Sequence, residues 1–552
     1  MLGDVTQPLF IKDVIESFHA LRRESGIEAH EAHEEGGEMK PRFLCRVIGL
    51  VFLVASCSWG QQAASCAKLM SFKAPGVEIT KAVAIPAGSV APMPPGVPVG
   101  GPLPAYCLVE GTIDQRVGVD GERFGIHFAL ALPYKWNGDF LMQGGGGSNG
   151  VVLPPTGYIA SGSEPALTRG YAVLSNDTGH RAHRPGFDFS FQKDQQAYLD
   201  FAYQANARAA GVAKRIIVLH YGRPAAYAYF AGCSTGGREG MIFSQRFPTV
   251  FNGIIVGDPA MRTGYSNLAI GKWIPAAYNQ VAPKDDHGKP LIADSITDSD
   301  RKLIVGALMK QCDALDGLAD GMIFNPLACH FDPEELICKP GKSDSCLSPA
   351  KAAAIKTAFA GPKTSKGIQV YPGFLYDSGI ANPGPIRGLL VPGPGLFGPA
   401  PTRMHVDVEA DALKASQPLI DSTYTNLTTF EQHGGKLIFF HGDSDPWFSP
   451  LDTLNYYKEM AADNGGLDAV SKWSQFYLVP GMSHCAGGPS LDQFDLVDAL
   501  AQWVEKGTAP RSVVSTGLAF PGRSRPLCPY PEHAQYEGRG DVQIASSFKC
   551  VP

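Results

Sequence analysis

The sequence carries little charge and no long block of one sign. Asp, Glu, Lys and Arg make up 18% of its 552 residues, and 47 basic against 53 acidic residues leave a formal net charge of −6. Residues 1–38 hold nine acidic and three basic residues, so the rest of the chain is neutral overall. Without a basic stripe, nucleic acid and acidic membrane surfaces are not expected partners. The composition favours a small, largely uncharged substrate.

Repeats and nucleotide-binding motifs are also missing. No fixed-period repeat is visible, and the QGGGG segment at 143–147 is followed by no G-K-[ST] and lacks the Rossmann spacing. The chain instead has 44% hydrophobic residues, with 63 glycines and 44 prolines. This composition describes a loop-rich globular protein with a large core, and the length predicts two domains or one domain with a large insertion.

The apolar run at 47–55 is too short to cross a bilayer. Basic residues between positions 40 and 46 precede it, which is typical of a secretory signal peptide. Because signal peptides stand at the N-terminus, we predict that the protein starts at Met39. Residues 1–38 are then a non-native upstream extension, and residues 39–63 are the signal peptide.

The end of this segment and the cysteine count both point to export. The VASC motif resembles a lipoprotein cleavage box, which makes Cys57 a candidate lipid anchor, whereas cleavage near Ala63 or Ala64 is equally compatible with the small-residue rule. Setting Cys45 and Cys57 aside leaves ten cysteines, which an oxidising compartment would pair. We predict a secreted or periplasmic protein, with an outer-membrane lipoprotein as the alternative.

The remaining chain alternates strand and helix patterns, with one long exception. Residues 261–425 are rich in glycine and proline and are predicted to be a lid-like insertion. It interrupts an α/β core made of residues 64–260 and 426–552. The predicted strands are 123–133, 139–142, 171–175, 225–231, 252–256, 436–440 and 475–479, and the predicted helices are 194–218 and about 491–505.

Ser234 is the candidate nucleophile. It lies at the centre of G-x-S-x-G at 232–236, between a β-rich segment and a helical stretch at 238–247. The flanking glycines allow the sharp strand-to-helix turn that exposes the hydroxyl, and the helix N-terminus offers positive potential to an oxyanion. Cys233 is a weaker alternative nucleophile, because an exported chain would oxidise it.

A serine nucleophile needs a base and an orienting acid, and in this class of fold the acid and then the base follow the serine along the chain. The HGDSD segment places Asp443 and Asp445 in a loop after a strand, and His484 follows the next predicted strand. Asp443 competes with Asp445 as the acid, and His441 competes with His484 as the base. Spacing alone leaves both choices open.

Further residues would complete such a site. The glycines at 144–147 follow a strand at the point where these enzymes supply one oxyanion-hole N–H, and the N–H of Thr235 supplies the other. Cys233 and Cys485 flank the candidate nucleophile and base, so a bridge between them would hold Ser234 and His484 within reach of each other.

The segment 313–321 gathers three carboxylates in eight residues. Asp313, Asp316 and Asp320 repel one another, and hard oxygen ligands in a flexible loop favour Ca²⁺. The spacing is not that of an EF-hand, and a solvated acidic turn is the alternative. Because the loop lies in the predicted insertion, we expect a structural role for the ion.

Together these segments resemble the tannase and feruloyl esterase family over nearly all of residues 64–552. The resemblance implies an exported serine esterase with an α/β-hydrolase fold, a large lid inserted after the nucleophile-bearing half, and no organic cofactor. The motifs that carry it are GCSTGGREGM (232–241), SQRFP (244–248), QGGGGSNG (143–150), CDALDGLADG (312–321), HGDSDPWFS (441–449), VPGMSHCAGGP (479–489) and PLCPYP (526–531).

Carried over position by position, the resemblance assigns roles to individual residues. It implies Ser234 as nucleophile, Asp445 as acid and His484 as base, and it implies a substrate-contacting aromatic residue at Phe448. It also implies oxyanion donors at Gly147 and Thr235, and calcium ligands at Asp313, Asp316 and Asp320 with the carbonyls of Leu318 and Met322. The implied disulfides are Cys66 to Cys107, Cys233 to Cys485, Cys312 to Cys329, Cys338 to Cys346 and Cys528 to Cys550.

The sequence departs from the family pattern in the lid. Members that hydrolyse terephthalate monoesters have a tryptophan-rich segment with a carboxylate-reading arginine, whereas residues 383–401 are rich in proline and glycine, and Arg387 and Arg403 match no such motif. We therefore expect esters of phenolic acids, such as feruloyl, galloyl or chlorogenate-type esters. The alternatives are hydrolysis of mono(2-hydroxyethyl) terephthalate-type monoesters and acyl transfer by the same triad. A binding protein with a dead hydrolase fold is disfavoured because every triad position is filled.

Overall fold

The computed structural model describes residues 60–90, 101–184, 186–340, 345–392 and 404–552. The chain divides into two units, residues 1–60 and 61–552, and every element below lies in the second unit. The predicted upstream extension, nearly all of the predicted signal peptide, Cys57 and Arg403 lie outside the described residues. Within those ranges, no helix has both the length and the apolar character needed to cross a membrane.

One mixed sheet of nine strands organises the described part of the chain. Its first strands pair antiparallel and the last six, in spatial order, pair parallel, as expected of an α/β-hydrolase. In spatial order the strands are β1 (Val77–Ile85), β2 (Tyr106–Val117), β3 (Arg123–Pro133), β5 (Ala172–Asn176), β4 (Phe140–Gln143), β6 (Ala228–Cys233), β7 (Gly253–Gly257), β8 (Lys436–Gly442) and β9 (Ser474–Val479).

Helices and two small sheets complete the description. The helices are α1 (Gln195–Leu199), α2 (Ala205–Tyr221), α3 (Thr235–Arg246), α4 (Thr263–Leu268), α5 (Ile274–Asn279), α6 (Asp298–Cys312), α7 (Pro349–Ala360), α8 (Val406–Ser416), α9 (Thr428–Gln432), α10 (Pro450–Asp463), α11 (Leu467–Val470) and α12 (Leu496–Lys506). A three-stranded sheet contains β10 (Gln493–Phe494), β11 (Val513–Thr516) and β12 (Ser524–Leu527), and β13 (His533–Tyr536) pairs with β14 (Phe548–Val551).

The parallel strands are buried on both faces of the large sheet. Successive residues of β4 alternate between two cores: Phe140 and Met142 pack on one side with α2, and Leu141 packs on the other side with α12. Every residue of β4 to β7 is buried. A strand that is buried on both faces has apolar residues at consecutive positions. This pattern made these strands recognisable in the sequence.

The chain between β7 and β8 leaves the sheet and returns to the neighbouring position. These two strands pair in parallel, although Gly257 and Lys436 are far apart in sequence. The chain between them forms α4 to α9 and has a hydrophobic cluster of its own, which includes Tyr278, Ile304 and Phe359. It lies where the sequence predicts an insertion.

Most predicted elements differ from the structure by a few residues at their ends, and two of these differences bear on the site. The helix predicted at about 491–505 begins only at Leu496, because Asp495 caps it by accepting from the Asp498 N–H and the two residues before Asp495 pair with β11. The strand predicted at 225–231 is Ala228–Cys233, so it reaches the residue before the candidate nucleophile.

Candidate functional site

Ser234 lies in the sharp turn between β6 and α3. Its backbone has φ 64° and ψ −125°, a strained conformation for a residue with a side chain, and its N–H donates to the Gly257 carbonyl at 3.0 Å. A Cβ on Gly232 would come within 2.3 Å of the Gly236 carbonyl oxygen, so the turn needs glycine there. The G-x-S-x-G segment therefore forms the strand–turn–helix that the sequence predicts.

The structure brings Asp445, and not Asp443, to His484. Nδ1 of His484 lies 2.7 Å from Oδ2 of Asp445. The other oxygen of Asp445 accepts from the backbone N–H groups of Trp447 at 2.8 Å and Phe448 at 3.1 Å. Asp443 is buried, and neither of its carboxylate oxygens has a hydrogen-bond partner in the described part of the chain.

The electrostatic environments of the two carboxylates also differ. Burial favours a higher pKa for Asp445, but the charge of His484 and the contacts from both nearby histidines hold that pKa below its usual value. Burial and two neighbouring carboxylates raise the pKa of Asp443 well above its usual value. Of the two carboxylates, Asp445 is therefore the one whose surroundings favour the ionised form.

His484 lies on the same cavity as Ser234. Its Nε2 is buried and has no partner among the described residues, and both side chains line the same cavity. The Cys233–Cys485 disulfide joins the residue before Ser234 to the residue after His484, with a Cα–Cα distance of 6.0 Å. The Trp447 ring lies 4.7 Å from the imidazole, centre to centre.

His441, the competing base, lies behind the triad. It is fully buried, its Nε2 lies 3.0 Å from the Phe448 carbonyl oxygen, and its Nδ1 lies 2.9 Å from the Thr453 hydroxyl. Both ring nitrogens are thus already engaged. His441 cannot reach a substrate in this position.

The predicted oxyanion donors lie beside the nucleophile. Gly147 has φ 59°, and a Cβ there would come within 2.4 Å of the Gly186 carbonyl oxygen, so only glycine fits. The Thr235 hydroxyl donates to the Gly147 carbonyl, which joins the first turn of α3 to the glycine-rich loop. In the described structure neither backbone N–H donates to another group, so both are available to a ligand.

Two cavities meet at Ser234. One has a volume of about 530 Å³ and the other about 360 Å³, and they share Gly147, Ser234 and Trp447. The larger cavity is also lined by His484 and Phe494. The lining of the smaller cavity includes five aromatic residues, which are Phe187, Phe189, Phe201, Trp447 and Phe448.

Sequence reasoning missed most of these lining residues. Trp447 lies two residues after Asp445, and this closeness to the acid is a signal that would have found it. Phe494 lies in a short strand within a stretch predicted as helix, and Asn382 and Ile386 come from residues 261–425. No local pattern marks any of the last three.

All five implied disulfides are present. The bond at the triad closes the longest stretch of chain, with a sequence separation of 252. The bonded pairs are Cys66 with Cys107, Cys233 with Cys485, Cys312 with Cys329, Cys338 with Cys346 and Cys528 with Cys550.

The acidic loop is curled around Asp313. One oxygen of this carboxylate accepts from the backbone N–H groups of Asp320, Gly321 and Met322, at 3.1 to 3.2 Å. Asp316 is buried, and burial together with the neighbouring carboxylates raises its pKa to about 7.

Asp320 supplies a donor atom that a cation could use. Its Oδ2 pairs with the buried Arg525, whereas its Oδ1 is buried and has no hydrogen-bond partner among the described residues. An orphaned carboxylate oxygen beside a second buried carboxylate fits a hard cation. The ligand atoms of the three carboxylates do not all lie within 4.8 Å of one another, unlike those of two other groups among the described residues. The three carboxylates would therefore have to move closer together to bind one cation.

The two described groups whose ligand atoms do lie within 4.8 Å of one another are both at the candidate triad. They are Cys233 with Asp258 and Cys485, and Asp258 with His441 and Asp445. The two sulfurs of the first group are bonded to each other, and the second group contains the triad acid. Their donor atoms are therefore already engaged within the protein.

The fold and the site define an α/β-hydrolase with the Ser-His-Asp arrangement found in esterases. The family model for tannase and feruloyl esterase matches residues 107–385 and 400–551. The chain is 37% identical to the mono(2-hydroxyethyl) terephthalate hydrolase of Piscinibacter sakaiensis over 518 residues, covering 81% of this chain and 85% of that protein. It is 29% identical to a probable feruloyl esterase of Arthroderma benhamiae, covering 91% and 96%.

The crystal structure of feruloyl esterase B from Aspergillus oryzae superposes with a TM-score of 0.72 at 24% identity, covering 89% of this chain and 100% of that one. The predicted α/β-hydrolase fold is thereby confirmed. The chain belongs to the tannase and feruloyl esterase family, as its motifs indicated, and it is a carboxylic ester hydrolase.

Proposed function

We propose that this protein is an exported serine esterase that hydrolyses carboxylic esters of aromatic acids, chiefly phenolic ones. The observation that carries the proposal is the Asp445–His484 pair beside Ser234, where two largely apolar cavities meet. Membership of the tannase and feruloyl esterase family supports the choice of acid.

The proposed reaction is acyl transfer through Ser234. Its Oγ attacks the ester carbonyl carbon while His484 Nε2 takes the hydroxyl proton, and Asp445 stabilises the resulting imidazolium. The oxyanion accepts from the N–H groups of Gly147 and Thr235. As the C–O bond breaks, His484 gives the proton to the leaving alcohol. Water then repeats the sequence on the acyl-enzyme and releases the free acid.

The position of His484 indicates which cavity takes which half of the ester. Because His484 protonates the departing oxygen, the alcohol must lie on its side of Ser234, in the larger cavity. The smaller cavity then receives the acyl group. Its aromatic side chains, Phe189 and Phe448 among them, suit a flat ring.

The charge of the cavities favours phenolic acids over terephthalate monoesters. Among the described residues that line either cavity, the only Lys or Arg is Arg238. Its guanidinium already donates to the carbonyls of Phe201, Ala202 and Ile420. Arg387 is exposed and lines neither cavity. A free carboxylate on the acyl ring would therefore be buried without a cationic partner among the described residues, which is costly.

We infer that residues 261–425 act as a lid between the two parts of the core, residues 64–260 and 426–552. Asn382 and Ile386 from this segment line the larger cavity, and Gln417 and Ile420 line the smaller one. Export is inferred from the five disulfides, which persist in oxidising compartments.

We also propose that the acidic loop holds a structural Ca²⁺ through Asp313, Asp316, Asp320 and the carbonyls of Leu318 and Met322. The orphaned Oδ1 of Asp320 supports this proposal. The ion would offset the repulsion among three carboxylates and rigidify the loop.

The calcium proposal predicts that EDTA lowers the melting temperature by several degrees and that added Ca²⁺, but not Mg²⁺, restores it. The Asp316→Asn variant should melt lower in Ca²⁺ and should respond little to EDTA. An unchanged melting temperature of the wild type after chelation contradicts the proposal.

The test of function is release of free acid from a panel of methyl ferulate, methyl gallate, chlorogenate and a terephthalate monoester. The protein produced from Met39 should release acid from the phenolic esters fastest, and Ser234→Ala should release none. Release by the serine variant contradicts the mechanism. Faster release from the terephthalate monoester than from every phenolic ester contradicts the substrate assignment.

A further inference from the structure

A second buried carboxylate, Asp258, connects the two loops that carry the triad. Asp258 follows β7 and has no exposed surface. Its Oδ1 accepts from the Gly442 N–H at 2.7 Å, and its Oδ2 accepts from the Cys485 N–H at 2.8 Å. Gly442 ends the strand that leads to Asp445, and Cys485 directly follows His484. One side chain therefore ties the acid loop to the base loop.

The backbone around this carboxylate is strained. Asp258 has φ 34° and Cys485 has φ 65°, values in the left-handed region that cost a residue with a side chain about 1 kcal/mol or more. Glycine would adopt the φ of Asp258 more easily, but it would leave the N–H groups of Gly442 and Cys485 buried without an acceptor. The carboxylate, rather than the backbone turn, therefore explains an aspartate at this position.

His441 lies between the two buried carboxylates. Its Nε2 is 3.5 Å from Oδ1 of Asp258 and 3.4 Å from Oδ2 of Asp445. Burial opposes protonation of this imidazole, but Asp258 and Asp445 raise its pKa above the usual value. Burial raises the pKa of Asp258 to about 6, and the charges of His441 and His484 oppose that rise.

The other charged groups around this network come from three elements. Asp443, in the acid loop, interacts with Asp258. Asp452 of α10 interacts with His441 and is itself paired with Arg262. His484, in the base loop, is attracted to Asp258 across the site.

On the basis of the proposed triad, we propose that Asp258 is a positioning residue for the reaction. It fixes the base loop against the acid loop, and its negative charge adds to that of Asp445 in stabilising the His484 imidazolium formed when Ser234 attacks. His441 balances part of the charge of both carboxylates in the resting enzyme.

The test is Asp258→Asn, measured with the panel ester that the wild type hydrolyses fastest. Asparagine has nearly the same shape as aspartate but carries no charge. Its amide NH2 group would face one of the two backbone N–H groups that Asp258 accepts from, so one hydrogen bond would be lost. We expect kcat to fall about tenfold or more with KM within about twofold. We also expect the acid limb of the kcat/KM profile to move to lower pH, because the variant removes a negative charge near the base.

Asp177→Asn is the matched control. Asp177 is equally buried, accepts from the backbone N–H groups of His127 and Gly179, and faces a histidine ring at 2.6 Å, but its side chain contacts no triad residue. This variant should lose stability while its kcat and acid limb stay as in the wild type. Equal kinetic effects in both variants, or a wild-type kcat and acid limb in Asp258→Asn, overturn the inference.

His441→Gln keeps the test decisive if Asp258→Asn does not fold. Glutamine can still donate to the Phe448 carbonyl but carries no charge, so at a pH above the pKa of Asp258 both carboxylates act on His484 unopposed. The acid limb should then move to higher pH, and an unmoved limb overturns the inference. Absence of hydrolysis by the wild type would instead contradict the proposed function, so the two failures are distinguishable.

Discussion

Phe187 and Phe189 are exposed aromatic side chains that line the smaller cavity. Their exposed fractions of 40% and 36% mean that they contribute little to the core, so their apolar surface is available to a ligand. The proposed mechanism assigns the acyl ring to this cavity. Aromatic recognition should therefore depend on residues that folding does not need.

The Phe189→Ala variant should separate recognition from stability. Losing part of an aromatic contact costs about 1.4 kcal/mol, so kcat/KM for methyl ferulate should fall about tenfold. The melting temperature and kcat/KM for an acetyl ester should change little. Leu219→Ala, which removes an exposed side chain on α2 that lines neither cavity, is the control. Equal losses on the acetyl and feruloyl esters would contradict the acyl assignment.

His180 is a buried histidine that the mechanism does not use. It stacks on Phe191 at 3.7 Å, and neither ring nitrogen has a hydrogen-bond partner among the described side chains. Burial lowers its pKa to about 4. The unfolded chain therefore binds a proton more readily than the folded one between pH 6.5 and pH 4, and stability falls as the pH falls through that window.

We predict that His180 accounts for up to about 3 kcal/mol of the free energy of unfolding that is lost between pH 6.5 and pH 4. The His180→Phe variant should therefore lose less stability over this pH range. Urea unfolding midpoints at pH 7 and pH 4.5 measure the effect. His330→Phe, at an exposed position, should keep the wild-type pH dependence. A His180→Phe protein that loses as much stability as the wild type would refute the prediction.

The proposed triad acid shows how far single residues can be predicted from sequence. The spacing of the residues could not decide whether Asp443 or Asp445 is the acid, and the family resemblance favoured Asp445. The structure supplies a physical reason, because the N–H groups of Trp447 and Phe448 turn one oxygen of Asp445 inward while His484 meets the other. Those contacts depend on a backbone turn that no residue spacing expresses.

At the scale of elements, the Cys233–Cys485 disulfide joins the nucleophile turn to the base loop. Its sequence separation of 252 corresponds to about 5.5 kcal/mol of chain-entropy stabilisation, against about 2.5 kcal/mol for the Cys338–Cys346 bond with a separation of 8. Its second contribution is alignment, because Ser234 and His484 are the neighbours of the bonded residues.

The Cys233→Ala/Cys485→Ala variant should lose kcat beyond its loss of stability. At a temperature where circular dichroism shows it folded, we expect kcat to fall at least about tenfold. Cys338→Ala/Cys346→Ala removes a bond remote from the triad and should keep kcat. A folded triad-side variant with wild-type turnover would show that the bond serves stability alone.

The sequence located some β-strands and did not reveal others. The strands β4 to β9 are short apolar runs bounded by turn residues, and the sequence located each of them to within about three residues. The strands β1 and β2 and the five short strands of the small sheets were missed. β11 alternates buried and exposed residues over only four positions, and β10 has two residues, too few for any period to show.

At the scale of the whole molecule, the substrate cavities are built from distant parts of the chain. Loops after several strands supply Ser234, His484 and the glycine-rich loop, and residues 261–425 supply Asn382 and Gln417. The sequence indicated the chemistry because motifs carry it. It did not indicate the cavities, because their walls depend on how this segment packs on the core.

The central claim is that an aromatic acyl group is transferred to Ser234. The most direct measurement is peptide mass spectrometry on enzyme mixed with methyl ferulate and quenched in acid during turnover. We predict one feruloyl group on the peptide that contains Ser234, and none on Ser234→Ala. Turnover by the wild type without a feruloyl group on that peptide, or continued hydrolysis by Ser234→Ala, would contradict the account.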